Sequence, residues 1–465
     1  MTGLDRIVVV GAGLAGLHAA QALRESGFDG SLHVVGREPH LPYDRPPLSK
    51  VIPAGRLAAD ETGLPGAGSL RATWHLGTAA TALDREARTV TLSDGTTLDF
   101  DRLLIATGTR GVAWFNEEES ALDGVVPIRT RDDAADLRRR LASGPRRVVV
   151  IGGGFIGVEV ASACRDLGID VTVVEAASQP MENALGQTVG TAAASLMRTH
   201  GVDLRLGTRT KSILGDDRGR VRAVHLDDGS EVDADVVVTA LGSRRNVEWL
   251  DSAGLLIDRF GIACDSTMRV LTNDGAVDNG ICAAGDVARW PHPVFRNQMI
   301  AVEHWDTAVG QARHAAATML GSAGPRWVPR PYASLPRFWS NMFGTNIKAL
   351  GIPRFADSVQ VVQGSLENRR AVILYGRDGH TVGAVAFNAP RELEGYAGLI
   401  TALAPFPPEI NAADWGGGPV PDVVPARFPQ AGHADHDPTA QVVGPAPADP
   451  VAALGFPDPG AEERP

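Results

Sequence analysis

The chain has 465 residues, of which 44% are hydrophobic and 21% charged, as in an ordinary soluble protein of two or three domains. The net charge of −11 argues against nucleic acid and anionic membrane surfaces as partners. Cys164, Cys264 and Cys282 are too few and too scattered for a disulfide framework, a zinc site or a four-cysteine iron–sulfur cluster, so no metal site is expected.

Two glycine-rich loops follow short β-branched runs along the chain. Gly11 to Gly16 lies between residues 7–10 and an Ala/Leu-rich helical stretch, and Gly152 to Gly157 follows residues 147–151 in the same way. In such a strand–loop–helix unit the backbone approaches a pyrophosphate closely, and the helix N-terminus faces the phosphate charge. One such fingerprint is a weak signal, but two in the same context predict two dinucleotide sites and an electron relay between them.

An acidic residue about 20 positions beyond each loop is expected to hold a ribose. Glu175 ends a strand after the second loop, and residues 176–181 contain no Arg or Lys to pair with a 2′-phosphate, which favours NADH over NADPH. After the first loop the basic Arg37 precedes the acid Glu38. Glu38 is the expected ribose ligand there, with an ordinary loop glutamate as the alternative.

The remaining segments predict one nucleotide-binding domain inserted in another. Residues 101–108 and 234–242 each resemble a buried strand that closes a sheet, and residues 281–286 return the chain to the first domain. We expect an α/β fold with two Rossmann-like dinucleotide-binding domains, one inserted in the other, and a C-terminal α+β domain with an antiparallel sheet. The expected bounds are 1–110 with 247–325, 111–246 for the insert, 326–404 for the C-terminal domain, and 405–465 for a Pro/Ala/Gly-rich tail that is disordered or loosely draped.

Six short sequence motifs occur together: Gly11 to Gly16, Leu41-Pro-Tyr-Asp-Arg-Pro-Pro-Leu-Ser-Lys50, Ala106-Thr-Gly108, Gly152 to Glu159, Ala284-Gly-Asp286 and Phe338-Trp-Ser340. In this combination the chain resembles the flavoprotein ferredoxin reductases that use FAD and NADH and serve cytochromes P450 and Rieske oxygenases. The resemblance covers about residues 5–400, and the stretch from Tyr43 to Lys50 is its most specific motif. It implies an oxidoreductase that passes electrons from NADH through FAD to a small iron–sulfur ferredoxin. The first domain would then bind FAD and the insert NADH.

The resemblance also implies roles for individual residues. Lys50 and Glu159 would lie beside the flavin, Asp286 would bind the ribityl chain, and Trp305 would line the isoalloxazine. The expected FAD contacts are Gly11, Gly13, Ala15, Gly16, Glu38, Arg45, Lys50, Ala80, Arg129, Asp286 and Trp305. The expected NADH contacts are Gly152, Gly154, Phe155, Ile156, Gly157, Glu159, Glu175 and Gly242.

Transfer of a hydride between stacked rings needs no acid–base side chain, so we assign no catalytic acid, base or nucleophile. A basic patch is expected to dock the acidic ferredoxin. Arg313 stands where the family has a docking arginine, and Arg330, Arg337 and Lys348 could extend the patch.

Two features depart from the family pattern. Arg37 stands where an acid is usual, which puts the adenosine contact in question. Asn341-Met-Phe follows Phe338-Trp-Ser340 where the family is more polar, which could change the environment of the partner or of the flavin.

Two alternatives stay open at this point. The first is an NADH oxidase, a rubredoxin reductase or a monodehydroascorbate reductase with the same fold. The second is a redox-responsive binding protein resembling apoptosis-inducing factor. The Lys50 and Glu159 pair and the lack of long insertions favour the ferredoxin reductase, while the absence of a cysteine before Cys164 excludes a disulfide reductase of the glutathione reductase kind. Because no long uncharged apolar run occurs and the first strand begins close to Met1, a cytoplasmic protein is expected.

Overall fold

The computed structural model describes residues 4–324, 327–409 and 421–429. The first part of the chain alternates strands with one long helix and then forms a small antiparallel insertion. Its elements are β1 (Arg6–Val10), α1 (Leu14–Glu25), β2 (Ser31–Gly36), β3 (Thr73–Leu76), β4 (Ala80–Asp84), β5 (Thr89–Leu92), β6 (Thr97–Asp99) and β7 (Arg102–Ile105).

The second part repeats this plan. Its elements are β8 (Thr109–Gly111), α2 (Glu117–Ser120), β9 (Val125–Pro127), α3 (Arg131–Ala142), β10 (Arg147–Ile151), α4 (Phe155–Asp166), β11 (Asp170–Glu175), α5 (Glu182–Thr199), β12 (Asp203–Leu206), β13 (Thr210–Gly215), β14 (Val221–Leu226), β15 (Glu231–Asp233), β16 (Val236–Thr239) and β17 (Ser243–Arg245).

The third part returns to the first sheet and then builds the C-terminal domain. The returning elements are β18 (Ile257–Asp258), β19 (Gly261–Ala263), β20 (Arg269–Leu271), β21 (Val277–Ala283), β22 (Ala288–His292), β23 (Gln298–Ile300) and α6 (Trp305–Gly321). The C-terminal elements are β24 (Arg337–Met342), β25 (Thr345–Gly351), β26 (Ser358–Ser365), β27 (Arg370–Arg377), β28 (His380–Phe387), α7 (Pro390–Glu394), α8 (Ala397–Thr401) and β29 (Val424–Pro425).

Each nucleotide-binding unit is centred on a largely parallel sheet. The first has the strand order β20-β21-β7-β1-β2-β3, and the second has the order β12-β11-β10-β16-β9. The central strands β1 and β10 are almost uninterrupted Val/Ile runs and are buried along most of their length. Continuous apolar strands of this kind are typical of parallel sheets that are covered on both faces.

The two chain crossings between the units lie side by side. β8 leads into the inserted unit and β17 leads out of it, and they pair antiparallel with Gly111 opposite Ser243. The second unit is therefore inserted in the first, as expected from the sequence.

The C-terminal domain is a six-stranded antiparallel sheet of order β24-β25-β28-β27-β26-β29. Its edge strand β29 belongs to the region expected to be disordered or loosely draped. Residues 421–429 are instead ordered, because β29 pairs with β26 and the Ala426 amide donates to the Asp357 carbonyl at 2.8 Å. A two-residue strand leaves no periodic signal in the sequence. Residues 410–420 and 430–465 of the tail lie outside the described residues.

Within the part of the chain that the structure describes, no helix is long and apolar enough to cross a membrane.

Candidate functional site

One large cavity lies where both nucleotide-binding units meet the C-terminal domain. Its volume is about 1650 Å³, larger than the ~300–1,000 Å³ usual for a single small ligand. Fifteen of the residues expected to bind nucleotide line it: Gly11, Gly13, Ala15, Glu38, Arg45, Lys50, Ala80, Arg129, Phe155, Ile156, Glu159, Glu175, Gly242, Asp286 and Trp305. Gly16, Gly152, Gly154 and Gly157 are not part of this lining, although they belong to the two loops.

The two glycine loops have the same geometry. Gly11 and Gly152 adopt φ of +127° and +108°, and a Cβ on either would lie within 2.3 Å of a backbone carbonyl oxygen, that of Ala106 or that of Ala240. A Cβ on Gly157 would lie 1.9 Å from the carbonyl oxygen of Gly152. Gly152 and Gly157 therefore serve the packing of strand, loop and helix, as the corresponding glycines do in the first loop.

The middle glycine of each loop faces free space. No described atom lies within 4 Å of a Cβ built on Gly13 or on Gly154. These residues are the N-caps of α1 and α4, and no described side chain accepts a hydrogen bond in either cap. Space beside free amides at a helix N-terminus fits a diphosphate in both units.

Glu175 is fixed at the end of β11. Its carboxylate accepts hydrogen bonds from the amides of Gly153, at 2.6 Å, and Ala177, at 2.7 Å. The carboxylate thus lies beside the second loop, where a ribose would follow the diphosphate. Arg209 lines the same cavity from the loop between β12 and β13. Sequence analysis missed Arg209, because it is far from Glu175 along the chain.

Glu38 and Arg45 form an ion pair in the first unit. Arg45 Nη2 lies 2.6 Å from Glu38 Oε1, and the Tyr43 hydroxyl donates to Glu38 Oε2. Burial alone would raise the pKa of Glu38, but the Arg45 guanidinium and the Tyr43 hydroxyl outweigh it and lower that pKa. Glu38 is therefore a charged acceptor at the end of β2. Its neighbour Arg37 is exposed and also lines the cavity.

Asp286 and Arg129 form an ion pair in the lining of the cavity. Arg129 Nη2 lies 3.2 Å from Asp286 Oδ2, and the Thr109 hydroxyl donates to the same oxygen at 3.3 Å. Burial raises the pKa of Asp286, and Arg129 opposes this effect. On the same wall Arg245 Nη1 lies 2.8 Å from Glu303 Oε1.

Lys50 and Glu159 are in direct contact. Lys50 Nζ lies 2.9 Å from Glu159 Oε1, and the Glu159 side chain is buried. The hydroxyl of Ser49 donates to Glu159 Oε2 at 2.5 Å, and that of Ser340 donates to Oε1. The pair therefore joins the turn after β2, helix α4 of the insert and strand β24 of the C-terminal domain. The hydrogen bonds of the two serines with Glu159 were not expected from the sequence, although both serines belong to motifs that carry the family resemblance.

Aromatic rings form the wall next to this pair. Trp305 begins α6, and its indole nitrogen donates to Asp44 Oδ1 at 2.9 Å. The Trp305 ring centroid lies 6.2 Å from that of Trp339, which is 36% exposed. The His304 and Phe338 ring centroids lie 5.1 Å apart, and removal of His304 from solvent lowers its pKa to about 4.

The four expected docking residues differ in their surroundings. Arg313 and Arg337 form ion pairs with Glu25 and Glu394, at 2.6 and 2.7 Å. Arg330 is exposed. Lys348 lies directly opposite Trp339 in the β24–β25 pair. Because side chains alternate along a strand, Lys348, Trp339 and Arg337 share one face of this hairpin.

The cysteines are all buried and free of disulfide bonds. Among the described residues no group of three or more His, Cys, Asp or Glu side chains could hold a metal ion. The cavity thus lies beside two glycine-rich loops and the carboxylates of Glu38 and Glu175, and part of its wall is aromatic. These features define an oxidoreductase that brings two nucleotide cofactors together.

Comparison with known proteins gives the family. The chain belongs to the pyridine nucleotide-disulphide oxidoreductase family, which matches residues 5–312, and residues 337–414 match the reductase C-terminal domain. This confirms the fold class expected from the sequence. FAD and NAD(H) are the cofactors of this family, as expected.

The most similar proteins include two bacterial reductases. Rhodocoxin reductase of Rhodococcus erythropolis is 35% identical over 88% of this chain and 92% of its own length. The anthranilate 1,2-dioxygenase system ferredoxin–NAD(+) reductase component of Burkholderia cepacia is 37% identical over 87% of this chain and 97% of its own. The putidaredoxin reductase of the crystallised covalent putidaredoxin reductase–putidaredoxin complex superimposes with a TM-score of 0.79, at 32% identity over 86% of this chain and 94% of that one. The resemblance noted in the sequence is confirmed.

Proposed function

We propose that the chain transfers electrons from NADH, through FAD, to a small iron–sulfur ferredoxin that serves a cytochrome P450 or a Rieske oxygenase. The contact of Lys50 with Glu159 is the observation that carries this assignment, because it joins the FAD-binding unit to the NADH-binding insert at one point of the cavity. The named ferredoxin reductases among the relatives support the acceptor. The reaction would take place in the cytoplasm, where NADH is the common electron donor.

The residues in and beside the cavity form two binding sites, one for FAD and one for NADH. Gly13, Glu38 and Asp286 would hold the diphosphate, adenosine and ribityl parts of FAD, and Gly154 and Glu175 would hold the diphosphate and ribose of NADH. Bound FAD supplies the conversion of a two-electron donor into two one-electron steps. The protein binds and orients the two rings and needs no acid–base residue.

The electrons must leave to an external acceptor. Family members that reduce disulfides need a reactive cysteine pair, whereas burial raises the pKa of all three thiols here, that of Cys164 to about 12. The electron acceptor in such members is a disulfide, and all three cysteines here are buried, free thiols. Trp339 is a ring of the cavity wall that also reaches the surface, and Lys348 lies opposite it on the same face of the hairpin, so we place the docking face around Trp339, Lys348 and Arg313.

The test is anaerobic stopped-flow reduction of the flavin by NADH, followed by mixing with a ferredoxin, with oxygen or with no acceptor. Fast reoxidation by the ferredoxin and slow reoxidation by oxygen supports the proposal. Fast reoxidation by oxygen alone indicates an NADH oxidase. A long-lived reduced complex that no acceptor oxidises indicates a redox-responsive binding protein.

A rubredoxin is the second candidate acceptor. The rubredoxin–NAD(+) reductase of Ectopseudomonas oleovorans is 32% identical over 85% of this chain and 98% of its own length. Parallel reoxidation by a rubredoxin separates the two candidates by rate.

A further inference from the structure

Residues 421–429 cross from the C-terminal domain to the NADH-binding insert. They begin at the edge of the C-terminal sheet, where Val424 pairs with Val359 and the Gln360 side chain donates to the Pro421 carbonyl at 2.9 Å. They continue past helix α5, and the Phe428 ring packs against the hydrophobic core. This segment, which we call the strap, lies beyond the residues that match the family.

The strap fits a break in α5. Gly186 has φ +74° and ψ 172°, so the helix is interrupted there and the next amide lacks its regular helical partner. That amide, of Gln187, donates to the carbonyl of Arg427 in the strap at 2.8 Å. A Cβ on Gly186 would lie 3.2 Å from the same carbonyl and 3.4 Å from the Phe428 ring. The helix break and the strap are therefore complementary in shape and in hydrogen bonding.

The first turn of α5 is also hydrogen-bonded to the second glycine-rich loop, residues 152–157. The amide of Met181, the N-cap of α5, donates to the Gly153 carbonyl at 2.9 Å. Gly153 is also the residue whose amide binds the Glu175 carboxylate. A displacement of this turn would therefore move the loop and the ribose acid together.

The strap also reaches the cavity itself. Pro429 lines it together with Glu182, Asn183 and Ala184 of α5 and with Phe355 of the C-terminal domain. On the other side of the helix break, the buried Tyr375 hydroxyl of β27 donates to the Leu185 carbonyl at 2.7 Å. The C-terminal domain thus holds α5 at two neighbouring points, one of them through the strap.

We propose that the strap is a positioning element of the NADH site, which fixes the first turn of α5 and closes the cavity on the side of the nicotinamide nucleotide. This role rests on the proposed function, in which this branch of the cavity binds NADH. Phe428 is the positioning residue, because its ring holds the strap against the break at Gly186.

The test compares Phe428→Ala with Val423→Ala in the full-length, FAD-loaded protein. Val423 belongs to the same segment but is 40% exposed, which makes it the matched control. Steady-state reduction of ferricyanide should show a KM for NADH raised about fivefold or more in Phe428→Ala, the lower end of typical couplings between sites. Its kcat, flavin spectrum and FAD content should stay at wild-type values, and Val423→Ala should match the wild type throughout.

A second measurement uses the wild type alone. Coupling is reciprocal, so saturating NAD+ should slow hydrogen exchange at the Gln187 and Ala426 amides, both of which donate in strap contacts. A Phe428→Ala protein with unchanged KM, or strap amides that do not respond to NAD+, overturns the positioning role while NADH still reduces the wild-type flavin. A wild-type flavin that NADH fails to reduce overturns the proposed function instead, and the strap's role with it.

Discussion

Lys50 Nζ lies 2.9 Å from Glu159 Oε1, so the lysine of the first nucleotide-binding unit and the carboxylate of the inserted unit form one ion pair in the cavity wall. The Ser49 and Ser340 hydroxyls also donate hydrogen bonds to this carboxylate, to Oε2 and Oε1 respectively. A buried ion pair with satisfied hydrogen bonds fixes both side chains in one orientation. We expect the contact to set the electrostatic balance at the point where the two proposed cofactor sites meet.

Opposite changes of the two charges should shift the flavin potential in opposite directions. Lys50→Met removes a positive charge that favours the reduced, anionic flavin, so the potential should fall by about 30 mV or more, which is ~1.4 kcal/mol for a two-electron couple. Glu159→Gln leaves the lysine charge uncompensated and should raise it. Anaerobic spectroelectrochemical titration measures both, and shifts of the same sign would contradict the placement of the pair beside the flavin.

The middle glycines should separate the two nucleotide sites. Gly13 and Gly154 have negative φ and no described atom near their Cβ position, so valine should fit the protein and occupy the diphosphate space. Wild-type protein should be yellow, with about one FAD per chain. Gly13→Val should lose FAD. Gly154→Val should keep FAD but lose reduction by NADH, and visible absorption with a reduction assay tests both. Loss of FAD from Gly154→Val would mean that the sites are assigned wrongly.

Glu175 should set the choice of nicotinamide nucleotide. The 2′-phosphate of NADPH would lie against its carboxylate, so kcat/KM should favour NADH by at least about tenfold. Glu175→Ala combined with Ala176→Arg should narrow that preference. Equal wild-type rates with both nucleotides would show that Glu175 does not hold the ribose, and would direct attention to Arg209 on the same wall.

Charge reversal at Arg313 should weaken reduction of the ferredoxin. The pair of Arg313 with Glu25 is about half exposed and contributes only ~0–1 kcal/mol, so Arg313→Glu should fold normally. The KM for ferredoxin should rise several-fold, more at low salt, while ferricyanide reduction stays intact. Arg146→Glu, at a 93% exposed site outside the cavity, is the control. Ferredoxin kinetics that do not change across a salt series would exclude Arg313 from the docking face.

His304 should make the protein sensitive to acid. Burial lowers its pKa from 6.5 to about 4, so between these values the unfolded chain binds a proton that the folded chain does not. The associated stability is present above pH 6.5 and is lost as the pH falls towards 4, by about 3 kcal/mol in total. Urea unfolding at pH 7 and pH 4.5 should show a smaller loss for His304→Asn than for the wild type. His225→Asn, on β14 of the insert, should behave as the wild type does.

Local patterns carried most of the correct expectations. The two loops are strand–glycine–helix units in which each glycine has a local reason, so both were found from the sequence. The position of Glu175 beside the second loop follows from its spacing from that loop along the chain, and its role as a ribose ligand stays a prediction. The inserted order of the domains follows from the repeated strand patterns around residues 101–108 and 234–242.

The missing features are those that depend on distant parts of the chain. Ser49 and Ser340 meet at Glu159 because the first unit and the C-terminal domain both pack on α4, and no spacing rule brings residues so far apart together. Arg209 reaches the cavity through a loop of the inserted unit for the same reason. The order in residues 421–429 comes from pairing with an existing sheet edge, which composition cannot reveal.

The pairing of β8 with β17 has a consequence for how such reductases diversify. Gly111 and Ser243 are direct neighbours, so the first and last residues of the inserted unit leave the rest of the molecule at one place. A unit whose two ends coincide can be exchanged as one segment, provided that the replacement also keeps the contacts of Arg129 with Asp286 and of Glu159 with Lys50 and Ser340. Substitution of residues 112–242 by the corresponding part of a relative that keeps Arg129 and Glu159 should transplant the preference for the electron donor and leave the first sheet intact.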